Sequence, residues 1–145
     1  MIVEVYEVRD RIAAQVATLS GYVEGDGPFD PIAMPANYAE RPFSVAIPAT
    51  NENGTRDRAG GQMDVATRVV VRVHAPISLA GPNRLAAATT EYKQEPQLIR
   101  KLCAQGDTWM FGLRIAYVGT TREYLPGDEW LQTDHTFTVR HQVQL

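Results

Sequence analysis

Between Val5 and Leu19 the apolar residues Val5, Val8, Ile12, Val16 and Leu19 return at steps of three and four, with Glu4, Glu7, Arg9, Asp10, Arg11 and Gln15 among them. That spacing gathers one set on a single stripe and predicts an amphipathic helix. Ser20 and Gly21 are expected to end it, because glycine enters the left-handed closing conformation without steric penalty. Farther along, the period falls to two. Across Gln62 to Ala75, Met63, Val65, Val69, Val71, Val73 and Ala75 share one face, and Asp64, Arg68, Arg72 and His74 share the other. Trp130 to Leu145 alternates in the same way, setting Phe137, Val139, His141, Val143 and Leu145 against Thr136, Thr138, Arg140, Gln142 and Gln144. Both stretches read as half-buried strands. Phe43 to Ala49 and Met110 to Thr121, the latter with Leu113, Ile115 and Tyr117 alternating, are their expected hairpin partners. The turns fall at 51–61 and at Leu125 to Glu129.

Prolines and glycines punctuate the rest. Residues 22–42 hold Pro28, Pro31, Pro35 and Pro42 with Gly25 and Gly27, so neither helix nor ladder pairing is expected there. A connection of that length is uncommon in a compact domain, and Phe29, Ile32, Met34 and Tyr38 are expected to anchor it along a neighbouring molecule. Pro82 and Asn83 should open a second helix with Leu85, Ala88 and Tyr92 inward. Pro96 should end or kink it near Glu95, before a turn of helix carrying Leu98, Ile99, Leu102 and Cys103 and stopping at Gly106. The order of elements predicts one α+β domain, with an antiparallel or mixed sheet of about four strands and helices packed on one face.

Composition narrows the chemistry. With 145 residues, 44% of them hydrophobic, the chain can bury one core, and a net charge of −3 argues against gripping nucleic acid or anionic membrane. The first residues mix acids and bases and lack the apolar run of a signal peptide, so cytosolic synthesis is expected. The single cysteine, Cys103, falls on the apolar side of its helix and reads as a small buried hydrophobe, not a nucleophile. Gly60 and Gly61 are followed by Gln and Met, which is no phosphate cradle. His74, His135 and His141 would bind metal only by converging with a carboxylate such as Asp64 or Asp134, so they read as sheet histidines. Asp57, Asp64, Asp128 and Glu129 sit in or beside loops, where no burial raises a carboxylate pKa for acid–base work. In the polar tip Glu52, Arg56, Asp57 and Arg58 compensate one another, which suits contact with a protein partner better than phosphate binding. No catalytic residue, metal or cofactor is expected. The competing classes are a small-molecule-binding α+β domain, with Tyr117 and His141 lining its pocket, and a nucleic-acid module, disfavoured by the lack of a basic stripe.

The first helix, the hairpin over 43–75 with its long polar loop, the proline-interrupted helix around EPQLIRKL and the ending GLRIAYVGTTREYLPGDEWLQTDHTFTVRHQVQL together resemble the tail terminator proteins of long-tailed phages with lambda-like tails. The resemblance covers nearly the whole chain as architecture and pattern. It implies a virion protein, made in the host cytoplasm, that forms a homo-oligomeric ring, six-membered in that family, on the head-proximal end of the tail tube. Such a ring ends tube polymerisation and meets the tail tube protein on one side and a head-side neck or connector protein on the other. Genomic DNA would pass through it without specific binding. Another head-to-tail connector is the near alternative.

Overall fold

A computed structural model describes residues 2–25, 40–53, 61–77, 84–104, 109–125 and 130–144. The elements are α1 (Val5–Ala17), β1 (Tyr22–Glu24), β2 (Arg41–Glu52), β3 (Gln62–Pro76), α2 (Arg84–Cys103), β4 (Ile115–Tyr124) and β5 (Trp130–Gln144). The strands form one five-stranded sheet in the order β1-β2-β3-β5-β4. Every pairing is antiparallel except β1 with β2.

Period-2 alternation decides which face is covered. Val69, Val71, Phe137 and Val139 on the central strands are fully buried, as are Val8, Ile12 and Val16 of α1 and Leu98 and Leu102 of α2. Each such side chain contributes about 1.5–3 kcal/mol relative to exposure. Both helices therefore lie against one face of the sheet, and Phe43, Val45 and Ile115 extend the same core to β2 and β4. The helix α1 starts where the Glu7 carboxylate accepts the Glu4 N–H at 2.7 Å. It ends at Thr18, and the chain then turns at Gly21, which has φ of +84°.

Several expectations need correction. Residues 22–42 carry ladder pairing at both ends, because Tyr22–Glu24 runs parallel to Arg41–Phe43. Pro42 is tolerated because Arg41 N–H donates to Gly21 O and Gly25 N–H to Phe43 O, so residues 41 and 43 aim their backbone groups at β1. The missing donor of Pro42 then falls on the β3 side, where the ladder begins only at Phe43. β2 runs on to Glu52, past an irregularity between Ala46 and Ala49, so Asn51 and Glu52 belong to the ladder and not to the tip. Pro96 does not end α2, which runs unbroken from Arg84 to Cys103. Loss of one donor is outweighed by the burial of Leu98 and Leu102 beyond it and Ala88 before it. Leu85, expected inward, is 78% exposed.

The last hairpin starts late. Residues 109–112 form a turn closed by Leu113 N–H to Met110 O, with φ of +53° at Phe111 and +76° at Gly112. Phe111 in the left-handed region is strained. Packing against the core and the Arg11 guanidinium 4.3 Å from its ring centroid hold it there.

Candidate functional site

Polar residues collect at the two ends of the sheet's helix-covered face. At one end α2 crosses above the strands and is tied to them by two ion pairs. Arg41, at the start of β2, donates from Nε and Nη2 to the Glu91 carboxylate at 2.8 and 2.7 Å, and both side chains are largely buried. One helical turn on, Glu95 accepts Arg122 of β4, whose guanidinium also lies 5.4 Å from the Tyr92 ring centroid. Tyr92 and Tyr124 share a hydroxyl contact beside it. The hydrogen bond from Arg41 to Glu91 is the main reason its pKa is raised, and the bond from Arg122 to Glu95 does the same there.

An irregularity between Tyr117 and Gly119 changes the facing of β4, so that Tyr117 and Thr120 end on the same side. There the Tyr117 hydroxyl meets Thr120 Oγ1, which lies 2.8 Å from Nδ1 of His135. His135 is 2% exposed, and burial pushes its pKa down to about 4, more than offsetting the attraction of Glu95. Its ring is neutral at pH 7 and serves as a packed hydrogen-bond partner.

At the other end His141 joins three segments. Its Nδ1 donates to the Val3 carbonyl at 2.6 Å, a contact in which the carbonyl only accepts. In the neutral ring Nε2 then accepts the Thr67 hydroxyl at 2.6 Å, and Thr67 in turn lies 3.1 Å from Thr50 on β2. The chain's first described residues are thus clamped beside the end of β5, where Ile2 bridges Gln142 in parallel and Glu4 accepts the Gln144 N–H at 3.1 Å. Thr67→Val should cost about 1–2 kcal/mol in urea unfolding, because it leaves a buried ring nitrogen without its donor. An unchanged midpoint would show that the clamp is not held through Thr67.

The opposite face of the sheet is polar. Arg72 meets the Asp134 carboxylate bidentately at 2.8 and 3.0 Å, Gln132 lies 2.9 Å from His74, and Gln142 donates to Asp64 at 2.9 Å. Two shallow clefts border it. One, of about 420 Å³, is lined by Asn53, Asp64, Leu113, Arg140 and His141; the other, of about 300 Å³, by Arg72, Thr121, Glu123 and Asp134.

No family model matches the chain, and no curated protein matches it. Among solved structures it is similar to a chain in the virion of a native gene transfer agent particle. That match has a TM-score of 0.44 at 15% identity, over 90% of this chain and 84% of the other.

Of the residues expected to contact partners, Phe29, Ile32, Met34, Tyr38, Arg56, Asp57 and Arg58 lie outside the described residues, as do Asp128 and Glu129. Glu52 is exposed and pairs with Val65 at the end of β2. The metal convergence does not form: alternation sends His135 and His141 to the helix side, while Asp64 and Asp134 face away. Among the described residues no group of three or more His, Cys, Asp or Glu stands ready to hold an ion. Tyr117 and His141 do not converge either, since Tyr117 pairs with Phe137, a full four positions along β5. Cys103 packs against the core, and burial raises its thiol pKa, the opposite of activation. None of the described helices is long and apolar enough to cross a membrane. Periodicity alone does not reveal the pairs Arg41–Glu91 and Glu95–Arg122. Their only sequence trace is two acids four apart on one helix.

Proposed function

We propose that the chain is a non-catalytic structural subunit of a phage virion, a tail terminator that closes into a ring on the head-proximal end of the tail tube. The observation that best supports this is how the polar groups are used. The described histidines are engaged in bonds between elements, whereas exposed apolar side chains stand on both helices, Tyr6 and Leu85, and at the sheet's two edges, Val23 on β1 and Tyr117, Val118 and Tyr124 on β4. Assembly surfaces, more than a reaction centre, fit that distribution. A ring uses two different surfaces of each subunit, one for each neighbour. In this reading Phe29, Ile32, Met34 and Tyr38, with Glu52, Arg56, Asp57 and Arg58, contact neighbouring subunits, the tail tube and the neck. A net charge of −3 suits a passage that does not retain DNA by counterion release.

The test is negative-stain imaging of the purified protein with and without isolated tail tubes. Rings seated on one tube end, with tube growth halted, are the expected result. Rings that ignore tubes but bind head-side connectors would transfer the protein to another neck position. A chain that neither forms rings nor caps tubes would overturn the reading.

A further inference from the structure

Asp134 and Asp64 both stand on the open face of the sheet, yet register gives them different neighbours. Arg72 lies directly opposite Asp134, and the two close into a bidentate ion pair. Opposite Asp64 stands Gln142, whose Nε2 donates to Asp64 Oδ1 at 2.9 Å. The arginine here, Arg140, falls two positions away on β5, opposite Ala66. Diagonal neighbours of this kind are about 7–8 Å apart, and the nearer place is already filled by the glutamine amide. Among the described residues neither Asp64 nor Arg140 forms an ion pair, and Asp64 Oδ2 accepts no hydrogen bond.

These two unneutralised groups line one cleft of about 420 Å³, within the usual size of a small-molecule site. Asn53 and Leu113 also line it. The backbone holds both in place, since Asn53 N–H donates to Asp64 O and Leu113 N–H to Met110 O, each at 2.8 Å. The cleft therefore offers a carboxylate oxygen, a guanidinium and an apolar wall together. The second cleft does not, because its Arg72 and Asp134 neutralise each other.

We infer that the cleft beside Asp64 and Arg140 binds an α-amino acid with an apolar side chain. The ligand ammonium donates to Asp64 Oδ2, the ligand carboxylate accepts from the Arg140 guanidinium, and the side chain lies on Leu113. A simple anion would gain Arg140 but meet the charge of Asp64, and a simple cation would meet the reverse. A zwitterion satisfies both with charge-assisted hydrogen bonds, and its side chain removes apolar surface from water. The inference does not rest on the proposed place in the virion, because every group it uses belongs to one subunit.

The test is a nuclear magnetic resonance titration of the isotope-labelled full chain with L-leucine. The backbone signals of Asp64, Leu113 and Arg140 should shift along a saturable curve with a Kd of about 1 mM or tighter. N-acetyl-L-leucine, which has no ammonium, and L-leucinamide, which has no carboxylate, should each bind about tenfold more weakly or worse. Asp64→Asn keeps the acceptor for Gln142, and Arg140→Gln changes an exposed side chain, so circular dichroism should not change. Each should nevertheless weaken leucine binding by about tenfold. Arg68→Gln, on the same face but outside the cleft, should leave leucine binding as it is. No saturable shift, or binding indifferent to Asp64→Asn and Arg140→Gln, would overturn the inference. N-acetyl-L-leucine bound as tightly as leucine would reveal a plain anion site and overturn it as well. Rings on tail tubes without leucine binding would sink this inference alone, whereas leucine bound by a chain that never forms rings would sink only the virion reading.

Discussion

Arg41→Met should destabilise the protein by about 3–5 kcal/mol in urea unfolding at neutral pH, the cost of breaking a largely buried ion pair from one side. The Arg41 and Glu91 side chains are only 9% and 15% exposed, and two hydrogen bonds join groups 50 positions apart in sequence. Methionine keeps most of the aliphatic stem but abandons the Glu91 carboxylate at the junction of α2 with β2. Tyr22 packs at the same place, where burial lifts its pKa to about 12 in spite of Arg41. The loss should therefore come from an uncompensated charge as well as from a missing bond. Adding Glu91→Leu should restore most of it, because a well-packed apolar pair can replace a buried ionic one. A loss below about 1 kcal/mol, the scale of an exposed pair, would show that the contact does not anchor α2.

That contact marks the limit of what patterning discloses. Elements whose burial follows one period were legible: α1 from Val8, Ile12 and Val16, β3 from the valines at 65, 69, 71 and 73, and β5 from its Thr and Val alternation. So was the class, a largely antiparallel sheet covered on one face by helices. Features set by tertiary geometry were not. β1 is a three-residue strand amid glycines and prolines, held by parallel pairing to a segment that begins at Arg41, and no three-residue window can announce that. α2 continues through Pro96 because its later turns are buried. Leu85 shares the helical phase of Ala88 and Tyr92 yet stands in the first turn, exposed. The alternation of Leu113, Ile115 and Tyr117 predicts an earlier start for β4, but the left-handed turn at Phe111 and Gly112 precedes the ladder, and the later irregularity reverses its facing.

The candidate contact residues lie in segments rich in proline, glycine and compensating charge, and only Glu52 of them falls among the described residues, at the end of a strand. His135 and His141 were legible as sheet residues because alternation separates them from Asp64 and Asp134. Their individual tasks were not, since the Val3, Thr67 and Thr120 atoms they meet come from distant segments.

Acidification should reveal His135 most plainly. Burial lowers its pKa in the folded chain from 6.5 to about 4. Above pH 6.5 both folded and unfolded forms are neutral, and the group contributes nothing to the pH dependence. As pH falls through 6.5 the unfolded chain takes up a proton that the native chain refuses, so stability drops with each step down to about pH 4, where native His135 also protonates. Each unit corresponds to about 1.4 kcal/mol, which places the full loss near about 3 kcal/mol for a side chain this well buried. The charged groups around it, Glu95 of α2, Arg122 of β4 and neighbouring Asp134, act in opposing senses and leave desolvation dominant. His135→Asn keeps an acceptor for Thr120 and does not titrate. Its unfolding free energy should therefore fall less steeply between pH 6.5 and 5, a range in which carboxylates and the other histidines are common to both proteins and cancel in the difference. Identical pH slopes for the two proteins would mean that native His135 takes up its proton as readily as the unfolded chain does, and the buried, neutral ring described here would be wrong.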